Sequence, residues 1–164
     1  MTYFTIIRGS AGVGKSTISK LLAKIINAEV FHFDEILKEL EMNYISGEKW
    51  IPLDKFLKAD KLKIPEFREK LENGINIIID GNFYHKEQID DLIKNLNYNN
   101  HVFTLKADLD ECIKRDKSRI NKLGEQSTKD VFNLVSAFDY GTNIDTNGKL
   151  PFEIVDEILS YLPK

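Results

Sequence analysis

Gly9-Ser10-Ala11-Gly12-Val13-Gly14-Lys15-Ser16-Thr17 breaks an apolar opening, and its two flanks decide the architecture. Upstream, Tyr3 to Arg8 is a β-branched and aromatic run that predicts a strand. Downstream, Lys15 to Asn27 sets Ile18, Leu21, Leu22, Ile25 and Ile26 at helical spacing. Between them stands a full match to G-x-x-x-x-G-K-[ST], in the strand–loop–helix setting that this pattern requires. Glycines 9, 12 and 14 let backbone N–H groups turn inward around phosphate oxygens, and the following helix adds the positive end of its dipole. Lys15 is placed to reach β- and γ-phosphates, Ser16 to offer its hydroxyl to Mg²⁺, and Thr17 to pack the helix or meet an α-phosphate. Gly9 to Thr17 is therefore expected to bind a nucleoside triphosphate; a glycine-rich turn without a ligand is the competing reading.

Outward from that loop, strands and helices alternate. Glu29 to Phe33 reads as a second strand, running into Asp34 and a helical stretch with Ile36, Leu37 and Leu40. Ile75 to Asp80 is the most apolar run, as a strand covered on both faces would be, and is expected at the centre of the sheet. His85 to Leu96 reads as helix, His101 to Leu105 as strand, Leu109 to Leu123 and Val131 to Phe138 as helices. Thr142 to Asp145 gives a short fifth strand, and Pro151 opens a helix through Leu162. Residues 43–63, with Gly47, Trp50 and Pro52, predict one or two short helices; Pro65 is expected to open a separate helix that stops at Asn73-Gly74. The expectation is a single α/β domain over 1–164: a three-layer α/β/α P-loop fold with a five-stranded parallel sheet, ligands lying at the strands' carboxyl ends.

Composition narrows the partners. At 164 residues the chain has room for one such core. Its 23 Lys+Arg against 26 Asp+Glu give a net charge of −3, which argues against stable nucleic-acid binding and for a small-molecule partner. Cys112 is the only cysteine, so no intrachain disulfide forms, in keeping with a reducing cytoplasm. The opening Met1 to Arg8 is too short before Gly9 for a signal peptide, and no apolar run approaches the roughly 18 residues of a membrane span.

The loop specifies nucleotide, not reaction. Asn121-Lys122-Leu123-Gly124 lacks the aspartate of a guanine-reading N-K-x-D, which disfavours a regulatory GTPase. Asp80 is followed by Gly81 and Asn82 rather than a second acid, which disfavours a motor or remodelling ATPase. A kinase needs an acceptor hydroxyl in line with the γ-phosphate. Asp34, ending the second strand, faces the loop from the acceptor side and is the natural acceptor-orienting base, although a helix N-cap would use the same residue type. Asp80 suits Mg²⁺, directly or through water, or else a strand-end turn. Gly81 is expected to leave the strand end open to the acceptor, with Asn82 contacting acceptor or metal. Arg115 and Arg119 share one helix face and can close over the nucleotide, against the plain reading of a solvated surface. Arg68 reads as a surface salt bridge, and lysines 55, 58, 61 and 63 allow an anionic acceptor or a solvated helix.

Together these residues resemble the small P-loop kinases of the nucleoside monophosphate kinase superfamily, especially the shikimate, gluconate and adenylylsulfate kinase branch. The likeness runs through Gly9–Thr17, Asp34, Asp80-Gly81-Asn82, Arg115 and Arg119. Ile144 to Pro151 resembles the adenine-contacting loop of those enzymes, which implies nucleotide contacts for Asp145 and Thr146. The resemblance implies an ATP- and Mg²⁺-dependent phosphotransferase with an acceptor region near 35–72 and a lid near 115–128. Shikimate itself is not implied, because His32 stands where shikimate kinases carry the first of two aspartates and Gly81-Asn82-Phe83 replaces a glycine triplet. The Asp-Gly-Asn string is closer to the zeta-toxin-like and polynucleotide-kinase-like group. The expected function is transfer of the ATP γ-phosphate to a hydroxyl of a small metabolite; the alternatives are a nucleoside, nucleotide or polynucleotide 5′-hydroxyl kinase, or a nucleotide-dependent regulatory module.

Overall fold

Five strands pair in parallel: β1 (Tyr3–Gly9), β2 (Ala28–His32), β3 (Asn76–Gly81), β4 (Asn99–Lys106) and β5 (Thr142–Asp145). They lie in the order β2-β3-β1-β4-β5 in the computed structural model, which describes residues 1–164. Seven helices connect or follow them: α1 (Lys15–Ile26), α2 (Phe33–Glu39), α3 (Leu53–Glu72), α4 (Lys86–Leu96), α5 (Leu109–Lys117), α6 (Glu125–Ser136) and α7 (Pro151–Leu159). Alternation along β1 explains the three layers. Phe4 and Ile6 enter a core with α2, α3 and α4, whereas Tyr3 and Ile7 enter another with α1 and α7. No helix is long and apolar enough to cross a membrane.

Three sequence expectations need correction. β1, not the Ile75–Asp80 strand, occupies the middle of the sheet. Burial on both faces marks an interior strand but cannot say which interior place it takes. Pro65 lies inside the 20-residue α3 rather than opening a helix. Phe56, Ala59, Phe67 and Leu71 form one buried stripe across it. Burial at about 1.5–3 kcal/mol per large apolar side chain offsets the roughly 3 kcal/mol of an interior proline.

The third correction concerns the lid. α5 ends at Lys117 and α6 begins at Glu125, so the segment between them is a loop. Asp116 makes this loop. Its buried carboxylate accepts the N–H groups of Leu123 and Gly124, both at 2.9 Å, and these bonds hold its pKa below the usual carboxylate range against the effect of desolvation. Leu109, Cys112, Ile113, Ile120 and Leu123 keep helical spacing through the break, so the pattern along the chain hides it, although Ile120 and Leu123 are exposed in the fold.

Arg8 ties the sheet to the helix beyond this loop. Its buried guanidinium donates to Val135 O at 2.9 Å and Thr104 Oγ1 at 3.1 Å, with the Phe138 ring 4.3 Å away. Desolvation lowers its pKa to about 10, so it remains charged near neutral pH.

Candidate active site

The loop between β1 and α1 is shaped for a ligand. Gly12 has φ +77°, and a Cβ there would stand 2.4 Å from the Cys112 carbonyl oxygen, so only glycine fits. Gly14 caps α1 at φ 98° without a side-chain cap, and no acidic residue occupies the first turn. The leading N–H groups of α1 are thus left for an anion. Lys15 Nζ donates to Gly9 O and Ser10 O, each at 2.9 Å, and to Asn82 Oδ1 at 3.1 Å. Desolvation lowers the Lys15 pKa, while Asp34 and Asp80 oppose that change.

Above the loop opens a cleft of about 590 Å³. Ala11, Gly12, Gly14, Lys15, Ser16 and Thr17 form its floor. Asp34, Asp80 and Asn82 border it from the strand ends, and Arg115 and Arg119 from the lid side. Gly9, Ser10 and Val13 form the buried back of the loop. Cys112, the single free thiol, lies beneath it, with Sγ 3.4 Å from Ser10 Oγ.

Asp34 caps nothing. His32 is the N-cap of α2, where no side-chain cap bond forms, and Asp34 projects into the cleft instead. It is open to the cleft by surface area, but the surrounding protein displaces enough water to raise its pKa; Asp80 adds to this and Lys15 opposes it. A carboxylate shifted toward neutrality is a better proton acceptor for an alcohol than an ordinary one.

Asp80 is held by a residue that sequence reading left without a role. His32 Nδ1 lies 2.9 Å from each Asp80 carboxylate oxygen. Arg115 donates to Glu111 at 2.8 Å, and to Val13 O and Thr146 Oγ1 at 3.4 Å each, so it bridges the phosphate loop and the segment after β5. Arg119 is half exposed and stands 4.0 Å from Asp116. Asp145 and Thr146 do not line the cleft: Thr146 is buried, and the Asp145 carboxylate accepts from Asn147 N at 2.9 Å. Gly81 does not line it either. A Cβ there would meet Phe33 Cβ at 3.1 Å and Phe83 Cε2 at 3.2 Å, so its small size serves packing rather than an opening for the acceptor.

The α2 wall of the cleft differs in charge from the wall formed by α1 and the Arg115–Leu123 side. From α2 it presents Asp34 and Glu35, and no lysine of α3 reaches the cleft. Lys55 pairs with Glu48 at 2.7 Å, Lys58 with Asp54 at 3.7 Å and Lys63 with Glu66 at 3.0 Å. Arg68, expected in a surface salt bridge, donates to the Asn95 carbonyl. The segment before α3 is clasped at Ile51, whose N–H donates to Tyr84 Oη at 3.2 Å and whose carbonyl oxygen lies 2.9 Å from His85 Nε2. Lys20, Asn121, Lys122 and Leu123 also line the cleft. Residues 121–123 fall within the 115–128 segment that the sequence singles out, but without individual roles; Lys20 belongs to no motif, and only the fold brings it there.

Comparison with known proteins gives a consistent setting. A family model described as AAA domain matches residues 6–133. A Thermococcus kodakarensis protein named "Putative adenylate kinase" is 31% identical over 169 residues, covering 95% of this chain and 83% of that protein. An unliganded sugar kinase from Janibacter sp. has a TM-score of 0.77 at 16% identity, covering 98% of this chain and 94% of that one. Shikimate kinase from Acinetobacter baumannii in complex with shikimate has a TM-score of 0.63 at 18% identity, covering 98% and 92%. The last two share the fold with this chain.

Proposed function

The chain belongs to the AAA-domain family of P-loop proteins, in its kinase-like group, and from that premise we propose that it transfers the γ-phosphate of ATP to a hydroxyl of a small metabolite. One observation carries the choice of acceptor. Asp34 shares a cleft with Lys15, while the α2 wall offers carboxylates and no cation to greet a second phosphate. Lys15, the loop amides, Arg115 and Arg119 hold and neutralise the triphosphate. The acceptor oxygen bonds to the γ-phosphorus, the bond to the β–γ bridging oxygen breaks, ADP departs, and Asp34 takes the hydroxyl proton. Helices in residues 35–72 receive the acceptor and residues 115–128 act as the lid. Asn82 acts in this reading through its bond to Lys15.

Ser16 and Asp80 would hold Mg²⁺. Both border the cleft, and both offer the hard oxygen donors this ion takes alongside substrate phosphates. When bound, the ion neutralises charge on the β- and γ-phosphates. The cytoplasmic setting belongs to the same reading, and a chain with a single cysteine, which has no intrachain disulfide to form, suits it.

The name of the Thermococcus relative favours a second reading, transfer to a nucleotide phosphate. Incubation of ATP with a metabolite pool, or with AMP, followed by ³¹P NMR separates the two. A phosphate monoester of an alcohol supports the proposal. ADP formed stoichiometrically from AMP as the preferred acceptor favours the second reading, and trace hydrolysis alone favours a regulatory module.

A further inference from the structure

His32 and Asp80 are direct neighbours in the parallel pairing of β2 with β3, so backbone register, not a long flexible side chain, brings them together. Nδ1 lies 2.9 Å from both carboxylate oxygens, with side-chain exposures of 18% for His32 and 5% for Asp80. A carboxylate accepts, so Nδ1 carries the hydrogen and is the donor. No other side-chain hydrogen bond or ion pair fixes the Asp80 carboxylate.

We infer that His32 is a positioning residue for Asp80. It holds the carboxylate in one orientation toward the phosphate loop, so that Asp80 meets a metal–nucleotide complex without first being ordered. The inference rests on the assignment of Asp80 to the metal. Outer hydrogen bonds of this kind typically change metal affinity about 10–100-fold when removed.

The test measures Mn²⁺ affinity of the ATP-bound protein by electron paramagnetic resonance, and ATP affinity in excess EDTA by calorimetry. His32→Leu and His32→Gln should each weaken Mn²⁺ binding about tenfold or more. Metal-free ATP affinity should stay within about twofold, since neither variant touches the loop that holds the phosphates. His32→Asn, whose amide nitrogen takes the place of Nδ1, should restore Mn²⁺ affinity to within about threefold. The inference is overturned if folded His32→Leu or His32→Gln binds Mn²⁺ as the parent does, or if metal-free ATP affinity falls in parallel. It is also overturned if His32→Asn is as weak as His32→Leu. Asp80→Asn separates the underlying assignment: unchanged Mn²⁺ affinity there removes Asp80 from the metal, whereas a loss there with none in the His32 variants removes only the positioning role.

Discussion

The two walls of the cleft are opposite in charge. α1 and the lid side bring Lys15, Lys20, Arg115, Arg119 and Lys122, whereas α2 brings Asp34 and Glu35. On the cationic side Lys15 donates to loop carbonyls, and buried Asp116 accepts two N–H groups of the 118–124 loop. On the other side Tyr84 and His85 clasp the backbone of Ile51 in the same way, and ion pairs occupy Lys55, Lys58 and Lys63, which leaves none of these lysines to the cleft. In the proposed reaction the cations of one wall would bind the polyphosphate, and the carboxylates of the other would accept a proton and repel a further phosphate.

The contrast is broken most directly at Lys15. Lys15→Ala should reduce turnover by at least about 100-fold in a coupled ADP-release assay, because it removes a preorganised cation from the transferring phosphates. Asp34→Asn should lower kcat about 100- to 10,000-fold while leaving ATP affinity within about twofold by calorimetry. A parallel loss of ATP binding would show that Asp34 acts with the cationic wall after all. Asp116→Asn acts on the lid alone. It removes the charge that organises the loop, and initial-rate kinetics should show the KM for ATP rising several-fold, about 3- to 10-fold, with kcat less affected.

A fourth prediction concerns the scaffold behind the α2 wall. Asp60 is fully buried between α3 and α4, with Oδ1 accepting from Gln88 at 3.2 Å and Oδ2 unpartnered. Desolvation raises its pKa to about 8; the Gln88 bond opposes this and Asp91 adds to it. The folded chain therefore keeps a proton that the unfolded chain releases between about pH 4 and 8, so stability falls as pH rises through that window, by up to about 1.4 kcal/mol per pH unit. Urea denaturation of Asp60→Asn across pH 5–8 should lack that slope. The variant should gain on the parent as pH rises, with turnover little changed.

What the sequence disclosed depends on whether a residue's place is set along the chain or only by the fold. The Gly9–Thr17 loop was legible because its function requires particular residues at fixed spacing along the chain. Asp34 and Asp80 were legible as cleft residues because Asp80 lies at the end of β3 and Asp34 in the first helical turn after β2, and strand ends meet at one edge of a parallel sheet. The His32–Asp80 pair was not, since residues 48 apart become neighbours only through strand register. Gly81 misled for a related reason: glycine permits both an open approach and close packing, and here Phe33 and Phe83 take the space. Pro65 misled because local propensity yielded to the continuous buried stripe of α3.

Cys112 offers a built-in gauge of loop opening. As the chain's only thiol, sealed beneath the phosphate loop beside Ser10, it can be alkylated only when α5 and that loop part. Maleimide labelling thus times their separation without any engineered cysteine, and a triphosphate seated in the loop should slow the clock.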